Sequence, residues 1–141
     1  MSVSAALCYR WDWKEARLFF RMKADSYETE SLIQFLDDLH RELDGDKVVL
    51  IWDGLPAHRS RAMKEYISRQ RSWLVVEPLP GYAPDLNPVE ALWGNVKGQE
   101  LANRCVDFLA EAREALKAGF RRVRRRIGLA YSFLRQTGLS F

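Results

Sequence analysis

Cysteine and histidine are scarce in this chain, with two of each in 141 residues. Cys8 and Cys105 stand far apart without metal-ligand spacing, so neither a disulfide framework nor a zinc site is expected, and both read as reduced thiols in or near the core. No apolar run is long enough to span a bilayer, and the N-terminus lacks a charged-then-apolar leader pattern. The expected compartment is therefore the cytoplasm. No repeat or linker divides the sequence, and a hydrophobic content of 48% is enough for one domain with a real core. Proline is also sparse, yet three of the five prolines, Pro80, Pro84 and Pro88, fall in one short stretch.

That stretch is Leu79 to Lys97, LPGYAPDLNPVEALWGNVK. Proline fixes its own φ and biases the preceding residue away from helix, so the loop has few conformations to lose on folding. Asn87 is a good N-cap, Pro88 suits the first helical position, and Glu90 falls three residues after the cap, where a carboxylate favours the helix N-terminus. Val89, Leu92, Trp93 and Val96 form one apolar stripe. Glu90 lies beside that stripe, with Gly94 one turn on leaving open space and Lys97 two turns along on a similar bearing. From this motif alone, Glu90 reads equally as a capping-box glutamate and as a functional acid.

A second acid follows the run Lys47-Val48-Val49-Leu50-Ile51-Trp52. This short β-branched segment, bounded by Asp44-Gly45-Asp46 and by Gly54 and Pro56, predicts a strand buried on both faces of a parallel or mixed sheet. Asp53 at its carboxyl end occupies the place where open α/β sheets put their chemistry. The alternative is a turn or helix cap. His58 reads as a cap or packing residue, not a metal ligand. Two acids, one ending a strand and one beginning a helix, suit a hard cation such as Mg²⁺ or Mn²⁺. Paired cations of that kind act on phosphodiesters, which implies a nucleic-acid backbone as substrate.

Trp52-Asp53-Gly54-Leu55-Pro56-Ala57-His58-Arg59-Ser60, together with Leu79 to Trp93, resembles the catalytic core of the Tc/mariner superfamily of DDE transposases, in its bacterial insertion-sequence branch. The resemblance runs from about Ser2 to Arg104. It implies an α/β, RNase H-like fold, a mixed sheet flanked by helices, and a divalent-metal site for DNA strand cleavage and transfer. Asp53 matches the second acid of the family and Glu90 the third. Where many relatives carry Asn after the second acid, this chain has Gly54.

The first acid of the family has no match. Ser2 to Tyr9 corresponds to the family's second strand and Arg17 to Arg21 to its third, and a helix of Leu32, Phe35, Leu36, Leu39 and Leu43 follows. Asp12 lies in the hairpin connection and Asp25 between strand and helix, and neither is placed like a strand-borne acid. The resemblance thus implies an N-terminally truncated fold, weak or inactive alone, with two strand edges open to a second polypeptide or upstream segment carrying the first strand and Asp. It also lacks the helix-turn-helix region of its relatives, so sequence-specific DNA recognition is not expected.

Net charge is only +3 but unevenly placed. Between the two motif blocks, Ala62, Tyr66 and Ile67 among basic residues predict a helix, and Trp73 to Val76 a further buried strand. Val106 to Gly119 predicts an amphipathic helix on Leu109, Ala112, Leu116 and Phe120. A last helix would pack Phe120, Val123, Ile127, Tyr131 and Leu134. Arg121, Arg122, Arg124, Arg125 and Arg126 on its other faces, with Lys97, are candidate DNA-backbone contacts. The competing reading of these arginines is a solvated face, or one paired with acids such as Glu111 and Glu114. The expected organisation is one domain, a core over 1–104 and a basic helical extension over 105–141. Its partner is DNA, and a homodimer is compatible with it. The expected function is a DDE transposase catalytic segment. The alternatives are a non-catalytic DNA-binding or interaction remnant and, more remotely, an unrelated RNase H-like nuclease.

Overall fold

The computed structural model describes residues 2–23, 28–81, 84–101 and 109–138. Asp25, Cys105 and the first residues of the helix expected from Val106 lie outside them. In chain order the elements are β1 (Ser2–Tyr9), β2 (Ala16–Lys23), α1 (Thr29–Glu42), β3 (Val48–Trp52), α2 (Pro56–Arg59), α3 (Arg61–Arg69) and β4 (Leu74–Pro78). A 3₁₀ turn (Pro84–Leu86), α4 (Pro88–Val96), a π-helical turn (Lys97–Leu101), α5 (Leu109–Arg125) and α6 (Ile127–Gln136) complete them. These gather into two compact units. One joins Val3–Met22 to Asp85–Phe141, and the other spans Lys23–Pro84.

The second unit packs α1, α2 and α3 with a parallel pair of strands. Phe35, Leu36 and Leu39 bury one side of α1, and Asp44 and Gly45 end the helix with left-handed backbone, the Gly45 amide donating to the His40 carbonyl at 3.1 Å. Ser60 caps α3 by accepting the Met63 amide, and the Tyr66 hydroxyl donates to Asp37 at 2.6 Å. Burial and that bond push the Tyr66 phenol well above its ordinary pKa. Tyr66 is buried and Ile67 half-buried as expected, whereas Ala62 is exposed and Met63 takes its place on the inward face of α3.

β3 pairs with β4 in register Val48↔Leu74 through Trp52↔Pro78. β3, expected to be buried on both faces, and β4, expected as a further buried strand, are each covered on one face only: Val49, Ile51 and Val75 are 64, 57 and 53% exposed on the other. Helices lie on the covered face, with Leu74 buried and Leu50 and Val76 partly so. Among the described residues the strands form two two-stranded sheets, β1–β2 and β3–β4, in keeping with an expected mixed sheet that leaves two strand edges open. The backbone amide of Val48 donates to the Trp73 carbonyl, and that of Leu79 to the Trp52 carbonyl, both at 2.7 Å. Alternation along the strand then turns the amides of Val49 and Ile51 toward the edge that β4 does not occupy.

In the first unit the β1–β2 hairpin packs with α4, α5 and α6. Leu18, Phe20, Leu92, Val96, Leu116, Phe120, Val123 and Phe133 form its core, with the Phe20 and Phe120 rings stacked at 5.0 Å and Trp93 set edge-on to Phe120. Leu116, Phe120 and Val123 of α5 and Phe133 of α6 thus belong to this core. The expected break near Gly119 is also corrected. α5 runs through Gly119 to Arg125, and the chain turns at Arg126 with φ −115° and ψ 82°. The turn re-aims α6, leaving Ile127 exposed and burying Ala130, Phe133 and Leu134.

Gly119 serves close packing instead of helix termination. A Cβ there would lie 2.7 Å from Val96 Cγ1 and 3.0 Å from Glu100 Cγ and Cδ. Val96 is fully buried, and Arg122 holds Glu100 by bonds of 2.7 and 3.0 Å, so neither neighbour can yield easily. Gly119→Ala should gain about 1 kcal/mol of helix propensity and lose about 1–3 kcal/mol to overpacking. The expected net result is a melting temperature lower by about 5 °C in a thermal scan, and an unchanged or higher value would contradict the packing argument.

Candidate functional site

Asp53 follows the last residue of β3. Its Oδ1 accepts the Leu55 amide at 3.2 Å and lies 3.0 Å from His58 Nδ1, which is also 2.9 Å from the Asp53 carbonyl oxygen. Both atoms facing Nδ1 are acceptors, so Nδ1 carries the hydrogen and donates to them. The His58 ring stacks on Trp52 with centroids 4.0 Å apart and planes 5° from parallel. Pro56 at the start of α2 sets the turn that brings His58 back onto the strand end. Both side-chain contacts fall on Oδ1, and Oδ2 has none among the described residues. His58, read from sequence as a cap or packing residue, thus does pack on Trp52 and also anchors the Asp53 carboxylate. Its spacing of five from Asp53 was the only signal for that second task.

Glu90 sits in the first turn of α4. Asn87 caps the helix as expected, its side-chain oxygen accepting the Val89 amide at 3.1 Å while its carbonyl accepts the Glu90 amide at 3.0 Å. The reciprocal bond of a capping box is not formed: among the described residues the Glu90 carboxylate has no hydrogen bond or ion pair. Glu90 is exposed, nothing stands within 4 Å of a Cβ placed on Gly94, and Leu92 and Val96 are fully buried on the inward face. Tyr82 and Ala83 of the preceding loop lie outside the described residues.

Asp53 belongs to the unit of β3 and β4 and Glu90 to the unit of the β1–β2 hairpin. Both offer carboxylate oxygen, the donor type a hard divalent cation takes, and each retains oxygen that no described residue engages. The donor chemistry therefore fits Mg²⁺ or Mn²⁺. Among the described residues no group of three or more His, Cys, Asp or Glu side chains is placed to hold a metal. Asp12 is spent on its turn, accepting the Lys14 amide at 3.1 Å and pairing with Arg10 at 3.4 Å.

The basic residues divide into two kinds. Arg122 is a packing cation: it bonds both oxygens of Glu100, and Asn95 at 2.6 Å, tying α5 to the π-helical turn and to α4. The hydrogen bonds to Glu100 hold its guanidinium pKa above the usual value. The acid is Glu100, not Glu111 or Glu114 as weighed from sequence, and contact through the π-helical turn carries no sequence period that would reveal it. Arg121, Arg124, Arg125 and Arg126 are exposed, Arg124 lying over the Phe20 ring at 5.3 Å. Lys97 is exposed at the end of α4, its Nζ 5.6 Å from the Trp93 ring centroid.

Residues 2–112 match the family model described as DDE superfamily endonuclease. No curated protein sequence matches the chain. Among solved structures, the catalytic domain of Mos1 transposase with raltegravir and Mn is similar at a TM-score of 0.58 and 16% identity, over 99% of this chain and 84% of that one. The catalytic domain of Mos1 mariner transposase gives 0.56 and 15%, over 99% and 83%. The Mos1 mariner paired-end complex with Mn gives 0.55 and 19%, over 88% of this chain and 40% of that one. The mixed α/β arrangement of small sheets flanked by helices is the RNase H-like fold, and the chain belongs to the DDE superfamily of endonucleases.

Proposed function

We propose that this chain is a catalytic segment of a DDE transposase that cuts and joins DNA strands in the cytoplasm, with Asp53 and Glu90 as ligands of Mg²⁺ or Mn²⁺. The observation that carries this reading is the pair of carboxylates that fold-stabilising contacts leave available: Asp53 Oδ2 at a strand end and Glu90 on a capped helix. The bound cations would supply Lewis-acid stabilisation of the oxygens exchanged at phosphorus. His58 and the Leu55 amide fix one oxygen of Asp53, and the Asn87 cap fixes the backbone beneath Glu90. Lys97, Arg121, Arg124, Arg125 and Arg126 contact the DNA backbone. Arg122, predicted with them, is better read as a structural cation because Glu100 already neutralises it.

A third acid completes such a site, and the open edge of β3 is where a further strand would bring one. The partner is therefore an upstream segment or second polypeptide with a strand ending in Asp; a second copy of the chain is the other candidate. The test is nicking of supercoiled plasmid by the chain with and without such a segment. Mg²⁺-dependent nicking only in its presence supports the reading, and efficient nicking by the chain alone overturns the need for a partner. The absence of a three-acid cluster among the described residues favours a second reading, a DNA-binding remnant without chemistry. Nicking by neither preparation would favour it.

Both readings share the basic surface. Converting Arg124, Arg125 and Arg126 together to Gln should reduce the slope of log K against log salt for duplex DNA by about 2–3, near 0.9 for each phosphate no longer neutralised. Arg122→Gln should instead lower the melting temperature and leave the slope in place. An unchanged slope in the triple variant would make these arginines a solvated face.

A further inference from the structure

Trp11, in the β1–β2 turn, is the most exposed large apolar residue among the described residues, at 85%. Its indole makes no ring contact or hydrogen bond among the described residues, while the turn that carries it is braced at many points. The Arg10 amide donates to the Glu15 carbonyl and the Trp13 amide to the Arg10 carbonyl, both at 2.9 Å. Arg10 pairs with Asp12 and, at 3.7 Å, with Glu15. From α6, the Tyr131 hydroxyl donates to the Trp13 carbonyl at 2.8 Å, and the Tyr9 hydroxyl donates to the Ala130 carbonyl at 2.6 Å. The Tyr9 ring lies 6.0 Å from both Trp13 and Tyr131. Trp13 itself is held at φ 62°, a left-handed conformation uncommon for a bulky residue, and such strain persists only where the surroundings enforce it.

A rigid turn with a free indole at its tip costs little side-chain entropy when that indole engages a flat partner. The size of the patch selects the partner. A stable protein interface buries about 800 Å² per side, whereas a Trp offers roughly 250 Å² at most. A nucleobase needs only one ring face. The turn also docks on α6, which begins directly after the exposed Arg124, Arg125 and Arg126, with exposed Ile127 one helical turn before Tyr131. Phosphate contacts and an aromatic platform in one unit are the combination that holds single-stranded nucleic acid.

We infer that Trp11 is a stacking platform for an unpaired base, at a DNA overhang, flap or opened strand end, while the arginines hold the adjoining backbone. Bases inside a duplex have both faces covered and a base at a blunt end is held in its pair, so the platform selects unpaired bases over continuous or blunt-ended duplex. This inference rests on the reading of DNA as the partner and adds which DNA structure is held and by which residue.

The test uses the full chain and two duplexes of equal length, one blunt and one with a short 3′ overhang, each with the fluorescent base 2-aminopurine at its end. The overhang duplex is expected to bind about tenfold more tightly, with quenching of 2-aminopurine on binding. Trp11→Ala should erase the preference and the quenching while keeping the melting temperature and blunt-duplex affinity, and Trp11→Phe should retain part of both. Equal binding of the two duplexes by the native chain, or a preference that survives Trp11→Ala, overturns the inference and leaves the DNA reading intact. Conversion of a dimer to a monomer by Trp11→Ala in sedimentation overturns it in favour of a contact between copies. Binding of neither duplex removes the DNA reading, and the inference falls with it.

Discussion

In the chain completed by an Asp-bearing strand, Asp53→Asn and Glu90→Gln should each lower Mg²⁺-dependent DNA cleavage by about 10³-fold, the order expected when a charge that stabilises the transition state is removed. Neither change should lower the melting temperature. Asn at position 53 keeps the Oδ1 that accepts from the Leu55 amide and His58 Nδ1, so the turn into α2 survives and the charge is lost. Gln at position 90 disturbs even less, because the cap of α4 is made by Asn87 and the Glu90 carboxylate bonds to no described residue. The contrast between large kinetic loss and unchanged stability separates a metal ligand from a capping residue. Mn²⁺ titration monitored by thermal shift supplies a readout independent of turnover: the native complex should gain stability with metal, and both variants should gain markedly less. Losses below about tenfold with normal metal stabilisation would return both acids to structural roles.

His58→Ala belongs to the same argument. It removes the donor and the stacking partner that hold Asp53, but not the charge. Its cleavage rate should fall less than that of Asp53→Asn, with part of the loss recovered at raised Mn²⁺ concentration.

The local placement of the two candidate acids was legible in the sequence because its determinants are local. Asn87, Pro88 and Glu90 specify a helix start within four residues, and the alternation of large apolar and small residues in α4 places Glu90 beside the buried stripe. Asp53 was legible for the same reason, as an acid closing a β-branched run. What escaped sequence reading depends on partners distant in the chain. The run Val48 to Trp52 is apolar at every position, so periodicity could not reveal that only one face is covered and that Val49 and Ile51 face solvent. Gly119 looked like a helix end because glycine so often marks one, whereas a neighbouring helix requires the absence of its Cβ. Arg122 was indistinguishable in sequence from Arg121 or Arg124, and only the π-helical turn that delivers Glu100 sets it apart. The His58 anchor on Asp53 needs the bend at Pro56, which a linear pattern does not show.

Adding a strand that ends in Asp beside β3 should do more than restore cleavage: it should protect specific amides and stabilise the second unit. β3 gives one edge to β4 in the register Val48↔Leu74 to Trp52↔Pro78, and its other edge pairs with no strand among the described residues. The amides of Val49 and Ile51 point to that edge, so in the chain alone they should exchange rapidly with deuterated solvent, while Leu50, bonded toward β4, exchanges slowly. Pairing reverses this, and protection of Val49 and Ile51 should rise on the order of 10²-fold. Val49 and Ile51 are 64 and 57% exposed, so residues flanking the added strand can cover surface worth about 1–2 kcal/mol per side chain. Allowing for the ordering of the added segment, the net gain should raise the melting temperature by about 5–10 °C. A strand of the same pattern ending in Asn should give the same protection and the same thermal shift but no cleavage, because pairing needs only backbone and apolar side chains while the metal needs the carboxylate. If cleavage appears while Val49 and Ile51 stay unprotected, the third acid arrives by another route and the open edge of β3 is not its docking site. If the Asn-ending strand supports cleavage equally, Asp53 and Glu90 suffice on their own and no third acid is required.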